Sequence, residues 1–412
     1  MHFHFSLYSS ILLIFFSQGV VFSFLLVKKS WTRPCNPSMW LGIFVFLCTL
    51  YLIPWMLGFA GWYSLLPYRD ILFYIPFQQL FFIGPAIYFY TKSLLNPSFK
   101  FLRKDCIHLM PGLVYLAYRF IVFSVDKILL GQYYFYENGR DKNLDTWYQM
   151  AGFVSMLIYF LLCLRYYADY KKIIFETLSY ADTVLFGWVR RYLITFLIMQ
   201  VLWLVFFLFY PDWGNFKEKW WYYLTFSSLI YYIAITGYTN NLKSVTSFKS
   251  SVLGPDHVKF LDTEIYTHEI QNGRQLKLES IFNHTENESL EHWKIRILDL
   301  IETEKVFLNP NLTLMDMANL LNTNQTLVSK MINQGFRMNF NDFINEYRVK
   351  DVIEAFHQGK YKNHTLLGIS FDSGFNSKTS FNRSFKKHTG LSPKEYLSKL
   401  KETPQEPVGG NG

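Results

Sequence analysis

Long uninterrupted apolar stretches dominate the first 240 residues of the chain. An α-helix needs about 20 apolar residues to cross roughly 30 Å of hydrocarbon. Seven stretches reach that length, and they cover residues 7–27, 39–60, 71–94, 107–125, 147–167, 192–210 and 220–238. The sequence therefore predicts a polytopic bundle of seven transmembrane helices in residues 1–240.

Charged residues divide the chain into two parts of different character. Residues 1–240 contain 19 Lys and Arg and 11 Asp and Glu, whereas the remaining 172 residues contain 21 and 20. Only the second part has the charge density that is usual for a soluble domain. We therefore predict a cytoplasmic linker at 241–289, a soluble domain at 290–401 and a flexible tail at 402–412.

Lys and Arg residues are unevenly distributed between the two sets of loops that alternate along the predicted spans. One set contains 14 of them and the other set contains six. Loops rich in Lys and Arg stay on the cytoplasmic side of a membrane. We therefore expect the N-terminus outside the membrane and the C-terminal domain in the cytosol.

A few polar residues fall inside the predicted spans. Arg119 lies near the outer end of the fourth span, where we favour a side chain that snorkels to the headgroups over a ligand or relay role. We expect Gln78, Gln79 and Gln200 to hydrogen-bond neighbouring helices rather than to contact a substrate. Pro54, Pro76 and Pro85 are expected to kink their helices.

Motifs for catalysis and metal binding are not found in the sequence. The four cysteines all lie in the first 240 residues, without CxxC or Cys/His ligand spacing, so neither a disulfide framework nor a zinc site is indicated. There is no glycine-rich phosphate loop and no nucleophile in a recognised context. We predict a protein that is not an enzyme and holds no cofactor or metal.

The soluble region contains a first pair of short helices. Thr313 is a good N-cap for one helix, with Asp316 three residues later in a near-capping-box position. Asn324 can cap a second helix at 325–333, and Ala318 is small enough to let the two helices approach closely. The pair predicts a helix-turn-helix. Its outward face carries polar side chains that can bond bases or phosphates: Gln325, Thr326, Ser329, Lys330 and Asn333.

The pattern recurs after a connecting helix at 340–358. Thr365 caps a helix at 366–373, and Ser377 caps another at 378–388. Residues 374–401 contain a single acidic residue and seven basic ones, which are Lys378, Arg383, Lys386, Lys387, Lys394, Lys399 and Lys401. A local basic patch on a second helix-turn-helix favours contact with DNA phosphates, including contacts by Lys386 and Lys387.

At these residues the chain resembles a known family. The run ISFDSGFNSKTSFNRSFKKHTGLSPKEY, from Ile369 to Tyr396, is similar to the signature of the AraC/XylS family of bacterial transcription regulators. The resemblance extends back to Leu312. Two positions depart from the usual pattern: Ser370 replaces an alanine, and Lys330 stands where arginine is common.

The resemblance implies two helix-turn-helices, joined by a rigid helix, that enter successive major-groove segments on one face of promoter DNA. It implies base or backbone contacts at Thr326, Ser329 and Lys330 in the first reading helix. In the second it implies contacts at Lys378, Thr379 and Arg383. Seven spans followed by this domain are similar to the membrane-embedded branch of the family, which resides in the bacterial inner membrane.

The predicted fold is therefore all-α, with a seven-transmembrane-helix bundle followed by a soluble double helix-turn-helix domain. The predicted function is that of a one-component regulator whose bundle senses an unknown small-molecule or membrane signal. RNA polymerase and a second copy of the chain are expected partners besides DNA and the bilayer. Two alternatives stay open: a transporter-like protein whose DNA-binding domain reports substrate occupancy, and a regulator released by proteolysis in the linker.

Overall fold

The protein forms two compact units in a computed structural model. The N-terminal unit comprises Met1–Ala168 and Phe186–Lys259, and the C-terminal unit comprises Asp169–Leu185 and Phe260–Gly412. The structure describes residues 5–31, 37–96, 99–137, 140–141, 145–184, 187–209, 219–247 and 286–402. Most of the predicted linker at 241–289 and nearly all of the predicted tail at 402–412 lie outside the described residues.

The first 247 residues are mainly helical. The helices are α1 (Leu7–Ser30), α2 (Pro37–Phe59), α3 (Leu66–Tyr74), α4 (Leu80–Leu95), α5 (Met110–Phe123), α6 (Asp145–Thr177), α7 (Ala181–Val184), α8 (Gly187–Phe209) and α9 (Trp220–Ser247). Shorter 3-10 turns cover Trp62–Ser64 and Arg103–Leu109, and a π-helical turn covers Ser124–Leu129. Strands β1 (Tyr136–Glu137) and β2 (Arg140–Asp141) form a minimal antiparallel pair.

Four helical segments in the described part of the chain are long and apolar enough to cross a membrane. They are Leu7–Ser30, Pro37–Phe59, Arg103–Leu129 and Trp147–Thr177, and Leu80–Leu95 is a shorter apolar helix. These segments allow a membrane protein on grounds of length and composition. The count of seven spans is not confirmed and stays a prediction, as does the orientation of the chain.

The continuous helix expected at 71–94 is wrong, because the chain leaves the helix between α3 and α4. Pro76 explains the break, since it has no N–H to offer the carbonyl of Leu72 and its ring clashes with the preceding turn. Arg119 from α5 donates its Nη2 to the carbonyl oxygen of Phe73 near the end of α3. The snorkelling role expected for Arg119 is therefore wrong, because its side chain is buried and hydrogen-bonded to backbone.

The glutamines expected to join helices behave differently from one another. Gln149 of α6 donates its Nε2 to Oε1 of Gln78 over 2.8 Å, so the bond expected for Gln78 is confirmed. Gln79 instead donates to the carbonyl oxygen of Pro76 in its own segment. Gln200 of α8 is buried, and neither atom of its amide has a partner among the described residues. The prediction for Gln79 and Gln200 was therefore wrong.

Residues 286–402 of the C-terminal unit form a second series of helices. They are α10 (Glu286–Glu302), α11 (Leu314–Leu320), α12 (Gln325–Gly335), α13 (Phe340–His357), α14 (Leu366–Asp372), α15 (Lys378–Thr389) and α16 (Pro393–Glu402), with 3-10 turns at Val306–Leu308 and Lys360–Lys362. The four helices predicted at 325–333, 340–358, 366–373 and 378–388 are confirmed to within two residues at each end, and the helix predicted to follow Thr313 begins at Leu314.

Helix α13 runs through two separate cores. Phe343 and Ile344 in its first half belong to a cluster formed with α10, α11 and α12. Val352 and Phe356 in its second half belong to a cluster formed with α14, α15 and α16. Each pair of short helices thus has its own apolar core, and the shared helix α13 joins the two cores rigidly.

Candidate nucleic-acid interface

In the first helix pair, α11 and α12, each helix begins with a side-chain cap. Thr313 Oγ1 accepts from the backbone N–H of Asp316 over 3.1 Å, and Asp316 Oδ2 accepts from the N–H of Thr313 over 2.9 Å. Asn324 Oδ1 accepts from the N–H of Leu327 over 2.8 Å. These bonds satisfy backbone donors that the first turn of a helix leaves unpaired. The predicted caps of both helices are confirmed.

Helix α12 separates apolar and polar side chains onto opposite faces. Its inner face buries Val328, Met331 and Ile332. On the outer face Thr326 and Lys330 are exposed, whereas Ser329 is half-buried. Ser329 Oγ accepts a hydrogen bond from Nδ2 of Asn333 over 3.3 Å. The structure therefore places the three predicted contact residues on one surface of α12, because they follow helical spacing.

The second helix pair, α14 and α15, repeats this construction. Thr365 Oγ1 accepts from the N–H of Gly368 over 3.0 Å, and Ser377 Oγ accepts from the N–H of Ser380 over 3.1 Å. Ser370 is fully buried, and its hydroxyl donates to the carbonyl oxygen of Leu367 over 2.7 Å. The serine that replaces the usual alanine therefore fits the core with its polar group satisfied.

Gly374 makes the turn between α14 and α15 possible. Its φ is +88°, a backbone conformation that is open to glycine and strained for other residues. A Cβ atom at this position would lie 2.4 Å from the carbonyl oxygen of Phe307. The turn therefore needs glycine both for its conformation and for the close approach of the two backbones.

Helix α15 presents the basic side chains that the sequence singled out. Its inner face buries Ser380, Phe381, Ser384 and Phe385. All five predicted contact residues on the helix are exposed: Lys378, Thr379, Arg383, Lys386 and Lys387. This face combines positive charge with hydrogen-bond donors, which suits contact with phosphates and base edges.

Residues 317–399 match the family model of a helix-turn-helix domain. The match supports an AraC-type helix-turn-helix domain and, with it, a DNA-binding protein. Comparisons with curated proteins and with solved structures gave no significant match. The matched range begins within α11 and contains α12, α14 and α15 with all eight predicted contact residues.

Two of the basic residues of α15, Lys387 and Arg383, form ion pairs within the C-terminal unit. Lys387 Nζ lies 2.6 Å from Oδ2 of Asp342 at the start of α13, and its side chain is 53% exposed. Because the lysine end of this pair is exposed, a DNA phosphate can compete with the carboxylate for Lys387. Arg383 pairs through Nη1 with the carboxylate of Asp182. That aspartate is not part of the matched range.

Asp182 lies in a region for which the sequence predicts only a loop between two spans. Its carboxylate side chain is buried, with only 8% of its surface exposed. Burial raises the pKa of the Asp182 carboxyl, and the neighbouring Arg383 guanidinium opposes that rise by favouring the charged form. That loop contains three acidic residues, Asp169, Glu176 and Asp182, so nothing local in the sequence distinguished Asp182.

Arg348 of α13 is the second residue that sequence reasoning missed. Its side chain is 1% exposed, and burial lowers the pKa of its guanidinium to about 9, so it stays protonated at neutral pH. Nε donates to the carbonyl oxygen of Phe307 over 2.8 Å, and Nη2 donates to that of Asn309 over 2.7 Å. Arg348 thereby fixes the 3-10 turn against which Gly374 packs.

Proposed function

We propose that this protein is a membrane-bound, one-component transcriptional regulator that binds promoter DNA sequence-specifically through two helix-turn-helix motifs. The observation that carries the proposal is the pair of capped helices, α12 and α15, which pack on the same linking helix and expose polar and basic faces. We expect the two helices to enter successive segments of the major groove, as a rigidly joined pair can.

Residues Thr326, Ser329 and Lys330 are proposed to contact DNA from α12. Lys378, Thr379 and Arg383 are proposed to do so from α15, where Arg383 has the fork geometry that reads guanine. Lys386 and Lys387 are proposed to contact phosphates. The ammonium group of lysine is a point charge, whereas the guanidinium of arginine can donate two parallel hydrogen bonds to one base. We therefore expect Lys330 to add less base specificity than Arg383.

The apolar helices of the N-terminal unit are proposed to form the sensing bundle in a bacterial inner membrane, with the C-terminal unit in the cytosol. One compact unit contains both Asp169–Leu185 and the helix-turn-helix domain. Both were predicted to lie on the same side of the membrane, so their association supports this topology. A second copy of the chain and RNA polymerase are the further partners we propose.

Selection of duplexes from a random pool tests the proposed function. The full-length protein in lipid nanodiscs should enrich a common DNA sequence. Arg383→Ala and Lys330→Ala should each weaken binding of the enriched duplex by about 1–3 kcal/mol if the side chains reach base edges. Lys305→Ala removes one exposed charge outside both reading helices and serves as the control. Absence of any enriched sequence would refute sequence-specific binding.

A further inference from the structure

Residues 175–182 lie between two predicted spans, yet they are bound by the helix-turn-helix domain. Leu178 pairs with Thr313 in an antiparallel bridge, and the N–H of Ser179 donates to the carbonyl oxygen of Leu312 over 3.2 Å. Leu178 and Ser179 are each 1% exposed. Leu178 and Ser179, in the short connection between α6 and α7, are therefore bound through main-chain contacts beside the first residues of the domain.

Three side chains of α13 form a receptor for this segment. Asn341, Asn345 and Arg348 follow a spacing of four and three residues, so they share one face of the helix. Their donors meet at the carbonyl oxygen of Ser179, at 2.8, 3.3 and 3.3 Å respectively. Arg348 Nη2 also donates to Oγ of Ser179 over 3.1 Å. Three side-chain donors thus converge on one carbonyl oxygen, and this arrangement binds the peptide backbone of the segment.

The docked segment also engages the arginine that is proposed to read DNA. The carboxylate of Asp182 forms an ion pair with Nη1 of Arg383. Oδ1 of Asn341 accepts a hydrogen bond from Nη2 of the same arginine over 3.4 Å. The guanidinium lies 5.1 Å from the ring centre of Phe175. Arginine reads guanine with two nitrogens of its fork at once. Both terminal nitrogens of Arg383 are already engaged, and Asp182 adds a negative charge where DNA would approach.

We infer that residues 175–182 compete with DNA for the helix-turn-helix domain of the same chain. While the segment is docked it withholds Arg383, and DNA binding through Arg383 requires its release. This inference rests on the proposed function for the role of Arg383. The last turn of α6, which ends at Thr177, is part of the docked segment, so a shift of α6 displaces the segment. A signal that favours one position of α6 would thereby set the affinity for DNA.

The isosteric variant Asp182→Asn tests the inference in the full-length protein in nanodiscs. It removes the charge that holds Arg383 and should tighten binding of the enriched duplex by about 5- to 30-fold, within the usual range of couplings between sites. Asp169→Asn makes the same change in net charge at an exposed carboxylate of α6. Its affinity for the duplex should equal that of the wild type.

A double variant separates competition from a general change in charge. In the Arg383→Ala background, Asp182→Asn should no longer tighten binding, because the two side chains act as a pair. Hydrogen exchange supplies a measurement that needs no substitution. Adding the duplex to the wild type should speed exchange of the Ser179 amide, whose bond to Leu312 is broken when the segment leaves.

The outcomes separate this inference from the proposed function. If no protein variant enriches a duplex, the proposed function fails. If a duplex is bound and Arg383→Ala weakens that binding, but Asp182→Asn and Asp169→Asn have equal affinities, the competition is overturned alone. Unchanged exchange at Ser179 in the DNA complex would overturn it as well, since the segment would then stay docked while DNA is bound.

Discussion

Gly374 offers a quantitative test of how the second helix-turn-helix is built. An alanine here would put Cβ 2.4 Å from the carbonyl oxygen of Phe307 and 2.9 Å from both Cα and the carbonyl oxygen of Leu308. These are backbone atoms, and Arg348 Nε holds the Phe307 carbonyl by a 2.8 Å hydrogen bond. The clash therefore has no flexible side chain to relieve it.

Gly390 is the matched control for this substitution. Its φ is +77°, close to the +88° of Gly374, but a Cβ atom there would meet nothing within 4 Å. Gly390→Ala should therefore cost only the left-handed conformation, about 1–2 kcal/mol of the free energy of unfolding. Gly374→Ala should cost that amount and also the overpacking term of ~1–3 kcal/mol.

Hydrogen exchange of the full-length protein measures both costs. Slowly exchanging amides of α13 and α15 report the free energy of opening of the C-terminal unit. We expect Gly374→Ala to lower that free energy by at least about 1 kcal/mol more than Gly390→Ala does. Equal losses in the two variants would show that the Phe307 turn yields without cost, and the reasoning from close approach would be refuted.

Two further predictions use contrasts between residues of one type. Phe385 is fully buried and Phe371 is 47% exposed. Phe385→Ala should lower the free energy of opening by about 3–5 kcal/mol, whereas Phe371→Ala should cost markedly less; similar losses would contradict the assigned core. Cys106 is exposed, and Cys48 and Cys163 are buried. In a Cys35→Ser background, an impermeant maleimide should label Cys106 in inverted vesicles and not in right-side-out ones. Labelling from outside would reverse the predicted topology.

The helix-turn-helix domain shows how far local sequence signals reach. Thr313, Asn324, Thr365 and Ser377 were predicted as caps, and each accepts a hydrogen bond from the N–H three residues later. A cap depends on residues within one turn, so its signal is present in a short stretch of sequence. Helical periodicity similarly predicted the exposed side chains of Thr326, Lys330 and Asn333 on α12, whereas Gln325 and Ser329, which were predicted on the same face, are half-buried.

The apolar region contains features that local sequence signals did not predict. Hydropathy marked 71–94 as one span, because Pro76 hardly changes the mean of a long window, yet the proline breaks the helix. Arg119 was expected to reach the headgroups, and its carbonyl partner at Phe73 lies 46 residues away in the chain. A partner at that distance leaves no periodic trace in the sequence.

Within the helix-turn-helix domain, the amino-acid pattern alone was sufficient for the positions of the short helices, their caps and the basic face of α15. Each of these follows from interactions within a few residues. The three-dimensional fold was needed to bring Ser179 to Arg348 and Asp182 to Arg383, pairs separated by 169 and 201 residues. Contacts of that kind depend on how buried donors and charges find partners in the assembled core, and no local propensity encodes them.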